Sequence, residues 1–221
     1  MRSQLRRLAR AIRAEPLRSI VIVVVLVDVA LLLVHPLYSA SASGLRGDLR
    51  LRLDKDRGFA ELFGALQLVV AAILLVERWV RRRSWVALGW AIALVALVLD
   101  DLFEGHEEFG RQFDLFDAAL GAVDAKRARE VVAMAVLGIV LLAVVAITHH
   151  ASGRPERAWS LTMAGAASLL LTAAVGLDVV HDEASAGTWL SGLLTIAEDG
   201  GELLAMTALS VTALAWARST T

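Results

Sequence analysis

Eleven acidic side chains lie in stretches otherwise built for an apolar medium: Asp28, Glu61, Asp100, Asp101, Glu104, Glu107, Asp178, Asp182, Glu198, Asp199 and Glu202. An ionisable residue among membrane-length apolar residues is costly and marks a functional site by default. Histidine follows these acids in three stretches, at His35, His106 and His181, of which His35 reads as an interfacial residue rather than a ligand. Carboxylates with one or two imidazoles suit zinc, iron or manganese, whereas all-oxygen shells suit calcium or magnesium. Asp178 and His181 stand at i, i+3, the spacing of the carboxylate–histidine pair in di-iron bundles. On a helix of about 100° per residue, Asp100, Glu104 and Glu107 share a stripe, with Asp101 to one side and His106 across from it. Glu198 and Glu202 share a face at i, i+4, with Gly200 and Gly201 between them allowing close backbone approach. Few arginines lie near the deep acids, so the cluster must be protonated, paired or neutralised by a cation.

The expected site is therefore a divalent-metal centre: Asp100, Glu104, His106, Glu107, Asp178, His181, Glu198 and Glu202 as ligands, with Asp101 or Glu61 as a catalytic base. A transition metal is favoured over calcium or magnesium because of the histidines. A protonatable relay and a purely structural polar network remain the alternatives.

The elements that must position these residues are helices. Hydrophobic residues make up 57% of the 221 residues, aromatics 6% and charged residues 20%. This is too apolar for a disordered chain. The net charge of −1 offers no basic field to nucleic acid. Cysteine is absent, which removes disulfides, thiolate metal sites and cysteine nucleophiles. A bilayer core takes about 20 apolar residues per helix. Ile20–Tyr38, Phe59–Val80, Trp85–Gly105, Arg129–His149, Ala158–Asp182 and Trp189–Ala217 meet that length. The fold class is all-α, a six-transmembrane-helix bundle spanning 20–217, preceded by a basic segment over 1–19. The first stretch follows arginines and precedes SASASG, as a cleaved signal would, but it exceeds the usual apolar core of about 7–15 residues and reads as a retained helix.

Arginine and lysine set the orientation. The N-terminal segment, the loops at 78–83 and 154–157, and Arg218 outweigh the opposite loops, so both termini are expected on the cytoplasmic side of the plasma (inner) membrane. The basic run from Arg46 to Arg57 weighs against this. Residues 2–15 can form a basic amphipathic helix touching anionic lipid. In an up–down bundle the acids of spans two, three, five and six then meet at one membrane face, the extracytoplasmic one.

A repeat is visible. EVVAMAVLGIVLLA from Glu130 aligns with ELLAMTALSVTALA from Glu202, and the run from Glu61 is a fainter copy. Either three helical hairpins repeat, or helices rich in Ala, Val and Leu align by chance.

LDDLFEGHE (Leu99–Glu107) and EDGGELLAM (Glu198–Met206) resemble motifs of a loose group of uncharacterised bacterial polytopic membrane proteins. In that group an acidic pair precedes His-Glu at a helix end, and a late helix carries two acids and then a third. The resemblance runs from the third span onward and implies a shared site without a known activity. A more distant similarity is to the seven-helix membrane hydrolases that include the alkaline ceramidases, which hold an intramembrane Asp/His metal. This chain has six spans and lacks their paired late histidines. The functions in view are a metal-dependent enzyme acting on a lipidic or amphiphilic substrate, a cation or proton transporter, and a structural subunit of a membrane complex. The lipid bilayer is an expected partner, with anionic lipid at the N-terminal segment and no nucleic acid.

Overall fold

The computed structural model describes residues 15–40, 49–53, 55, 57–103, 105, 108, 122–177 and 189–219. Among the described residues the regular structure is all helical, with no strand. The helices are α1 (Glu15–Ala40), α2 (Phe59–Arg82), α3 (Trp85–Phe103), α4 (Ala122–His150), α5 (Arg154–Leu171) and α6 (Trp189–Ala217). A short 3-10 turn, Leu49–Leu51, precedes α2, and a π-helical turn, Thr172–Leu177, prolongs α5.

Five of the helices are long and apolar enough to cross a membrane: Leu17–Leu37, Phe59–Arg82, Trp85–Phe103, Val131–His150 and Leu190–Ala217. This composition is compatible with an integral membrane protein. The helix α5 stands apart because its first turn, RPER, brings in three charges.

Local signals fix the helix ends. Gly58, in extended conformation, precedes α2, and Glu61 in its first turn accepts a 2.5 Å bond from the Arg57 backbone N–H. That satisfies a donor at the helix start and places negative charge at the positive dipole end. Arg83 closes α2 in the left-handed region (φ 54°), its N–H donating to Trp79 O, so α3 begins two residues later. The α4–α5 turn is held by Arg157, whose guanidinium donates to the carbonyls of His149, His150 and Ser152. Those of His149 and His150 are carbonyls that the ending helix leaves without an internal partner.

Helices α2 and α6 form the centre. The α2–α3 hairpin packs along one side, α5 and α1 lie against α6, and α4 lies against α3. Of the apolar stretch of α6, 61% is buried, against 6% for α4 and 11% for α1, so α4 and α1 are peripheral. The core gathers Leu68, Ala71 and Leu75 of α2, Val86, Trp90 and Leu94 of α3, Trp159 and Met163 of α5, and Leu209 and Trp216 of α6. Gly64 lets α2 approach Met206 of α6, and Gly200 lets α6 approach Leu32 of α1. A side chain at either position would force the end of that neighbouring side chain to move.

Arg78 is placed differently from the sequence expectation. It is not a loop cation but a buried residue of α2, 2% exposed. Its guanidinium donates to Glu156 Oε1 at 2.6 Å and to Trp216 O at 2.6 Å, and lies 5.6 Å above the Trp216 ring. Glu156 also accepts from Ser84 Oγ at 2.5 Å and from Trp216 Nε1 at 3.1 Å. This network joins the end of α2, the start of α3, the start of α5 and the end of α6 at the pole of the bundle opposite the acids.

Candidate functional site: an acidic vestibule over an apolar chamber

The start of α2, the end of α3 and the first half of α6 meet at one pole. There Glu61, Asp101, Glu198, Asp199 and Glu202 line a cavity of about 290 Å³, together with Lys55 and the apolar Leu53, Ala60, Leu203 and Met206. Acids of the second, third and sixth spans thus meet, while those expected from the fifth, Asp178 and Asp182, lie outside the described residues. Helical spacing explains it: Glu198 and Glu202 are one turn apart on α6, and Glu61 occupies the capping turn of α2. Each of these carboxylates, and Lys55, already makes a polar or electrostatic contact.

A second cavity of about 300 Å³ adjoins the first and shares Asp101, Glu202 and Met206 with it. Apart from Asp100, Asp101 and Glu202, its walls are apolar, including Leu68, Leu97, Met134, Leu137, Leu141, Leu170 and Leu171. Asp100 lines this chamber and also an apolar groove of about 560 Å³ between α3 and α4, beside Phe103, Val136 and Val140. Adjacent residues on α3 therefore divide: Asp101 faces the vestibule with the α6 acids, and Asp100 faces the α4 side.

Of the ligands expected from sequence, Asp100, Glu198 and Glu202 are described. Glu104, His106, Glu107, Asp178 and His181 lie outside the described residues. Among the described residues no group of three or more His, Asp and Glu side chains is placed to hold a metal ion. Glu61 and Asp101, expected as bases, both line the vestibule, though one Glu61 oxygen is committed to the Arg57 backbone N–H.

Few arginines were expected near the deep acids, and the nearby cation comes from outside those helices. Lys55 lines the vestibule, and it belongs to the same basic run, Arg46 to Arg57, that weighed against the orientation. His35 of α1 holds this segment in place: it is 8% exposed, and its Nδ1 accepts from the Leu53 N–H at 3.2 Å. A run read as loop charge thus supplies part of the counter-charge.

The repeat shows a partial correspondence. Ala133 and Ala205 are both buried, and Met134 and Met206 both line the chamber. Beyond two turns the parallel stops: Leu142 is 69% exposed, whereas Leu214 is 9% exposed. The Glu130 side chain lies outside the described residues.

Sequence reasoning also missed a polar group in the interior. Asp28 of α1, Gln67 of α2 and Thr207 of α6 contact one another, and Ser210 Oγ donates to the Gln67 backbone O at 2.9 Å. Asp28 stood out as an acid in an apolar run. The available signal for its partners was one amide and one hydroxyl in other apolar runs.

Together these features define a class: a helical bundle with membrane-length helices and a carboxylate-lined cavity at one pole. Residues 19–217 match the family described as a domain of unknown function (DUF8692), and the chain belongs to that family. The match covers α1 and α2 as well as the region from α3 onward. No curated protein and no solved structure matches the chain.

Proposed function

We propose that the chain is an integral membrane protein of six spans with cytoplasmic termini, which binds an amphiphile across the two joined cavities. The head group lies in the acidic vestibule on the extracytoplasmic side, and the apolar part lies in the chamber. The observation that carries this reading is the shared wall of Asp101, Glu202 and Met206 between a charged cavity and an apolar one. Ligand sites combine apolar walls with a few convergent polar groups in this way. In this reading α5 is the sixth span, prolonged by its π-helical turn. Such turns inside helices are frequent at functional sites.

A divalent metal is the cation that would act on the head group. Glu198 and Glu202 of α6 would meet it, with Asp178 and His181 as the further ligands that the sequence offers. It would polarise the head group or activate a water for hydrolysis. Elemental analysis of purified protein tests this part. Stoichiometric zinc, iron or manganese, strongly reduced in His181→Ala, is the expected result. Metal-free protein from metal-replete cells would overturn the metal and leave a cationic head group as the ligand.

A second reading, a path for a cation or proton, has one observation in its favour. Glu202 of the vestibule and Thr207 of the buried polar group stand on the same helix, about 7.5 Å apart by helical rise.

A further inference from the structure

The buried polar group on α1, α2 and α6 carries an inference that does not depend on the vestibule. Asp28 is 0% exposed, Gln67 and Thr207 6% each. Their side chains close a triangle. Gln67 Nε2 lies 3.2 Å from Asp28 Oδ1, Thr207 Oγ1 lies 2.6 Å from Asp28 Oδ2, and Thr207 Oγ1 lies 2.8 Å from Gln67 Oε1.

All three separations are hydrogen-bond distances, and each such bond takes one proton. Gln67 brings one proton into the triangle through its amide nitrogen, because its other corner is the amide oxygen. Thr207 has one hydroxyl proton. An ionised Asp28 brings none, since a carboxylate only accepts. Two protons cannot fill three bonds. One pair of oxygens would then face each other, 2.6 or 2.8 Å apart, with no proton between them. Exchanging nitrogen and oxygen of the Gln67 amide, the usual ambiguity of that group, leaves the count unchanged. Gln67 then donates to Thr207 and Thr207 to Asp28, while Gln67 oxygen faces Asp28 Oδ1 without a proton.

We propose that Asp28, Gln67 and Thr207 form a proton-binding site in the interior of the bundle, with the bound proton on the Asp28 carboxyl. The ring is then closed in one direction: Asp28 donates to Thr207, Thr207 to Gln67, and Gln67 to Asp28. A fully satisfied ring of this kind is favourable in an apolar interior, whereas a half-satisfied one is costly. The site also joins the peripheral α1 to the two central helices. Elsewhere α1 is held by Leu31 and Leu32 packing against the Leu53, Ala60 and Leu203 cluster, by Leu32 over Gly200 and by the His35 bond to the Leu53 N–H.

The test is infrared spectroscopy of the full chain in lipid nanodiscs at neutral pH, with and without carboxyl-¹³C aspartate, together with thermal melts. Wild-type protein is expected to show the carbonyl stretch of a protonated carboxylic acid, shifted by the label and absent from Asp28→Asn. An asparagine at this position donates through nitrogen and accepts through oxygen, so it preserves all three bonds. Asp28→Asn is therefore expected to melt with wild type, and Asp28→Ala well below it. The proposal is overturned if the labelled wild type shows only carboxylate bands. It is equally overturned if Asp28→Asn melts as low as Asp28→Ala or fails to fold.

Discussion

Arg78 shows how much one charged side chain can organise at the pole opposite the acids. Its side chain is 1% exposed and that of Glu156 17%, so water does little to screen the pair. Removing one partner of a buried ion pair leaves the other uncompensated, which costs about 3–5 kcal/mol. Arg78→Met is expected to lower detergent stability by that order in a thermal-shift or denaturant series. Arg78→Met combined with Glu156→Met should recover much of the loss, because neither charge is then stranded. A double variant no better than the single one would show that Arg78 acts through its stacking on Trp216 and its bond to the Trp216 carbonyl. This residue was not legible in the sequence. It sits four residues before the end of α2, beside Arg81 and Arg82, and nothing in one dimension separates the inward arginine from the outward ones.

At the scale of elements, close helix approach rests on glycine at particular crossings. A Cβ at Gly64 would displace the Met206 thioether, and one at Gly200 the end of the Leu32 side chain, whereas at Gly165 nothing lies within 4 Å. Overpacking a tight contact costs about 1–3 kcal/mol. Gly64→Val is thus expected to lower the melting midpoint clearly, and Gly165→Val to change it little. Equal effects would mean that helix propensity, not the α2–α6 crossing, sets the cost. Helix positions were largely legible, because apolar length is what a span requires. The starts of α2, α3 and α6 at Phe59, Trp85 and Trp189 coincide with expectation. The start of α5 did not, since Arg154, Glu156 and Arg157 break the apolar run although Gly153 and Pro155 mark a helix entry. The hairpin repeat was legible only in its first two turns. Thereafter α4 stays at the periphery while α6 enters the centre, and the same residue types have opposite exposures.

For the whole molecule, opposing charge networks mark the two ends: Arg78 with Glu156 at one, the acids with Lys55 at the other. The convergence of α2, α3 and α6 acids was legible, because helices of alternating direction bring alternate ends to one pole. The counter-charge was not, because Lys55 reaches the vestibule through a segment whose path depends on His35. Nor was the Asp28–Gln67–Thr207 ring, whose members are 39, 140 and 179 positions apart. The proposed topology puts residues 183–188 outside the cell. Ser185→Cys should then react with a membrane-impermeant thiol reagent in intact cells, and reaction only after lysis would reverse the orientation.

The central claim is that vestibule and chamber act as one site. Gly138 lines the chamber, and a Cβ at this position would meet nothing within 4 Å, so Gly138→Leu fills the chamber without a backbone collision. Glu202→Gln removes one charge from the wall that the two cavities share. Native mass spectrometry of the protein released from mild detergent reads any retained amphiphile directly. Wild type is expected to carry a bound amphiphile, and both Gly138→Leu and Glu202→Gln should lose most of it while melting near wild type. A folded wild type without a retained amphiphile, or retention unchanged in both variants, would contradict the account.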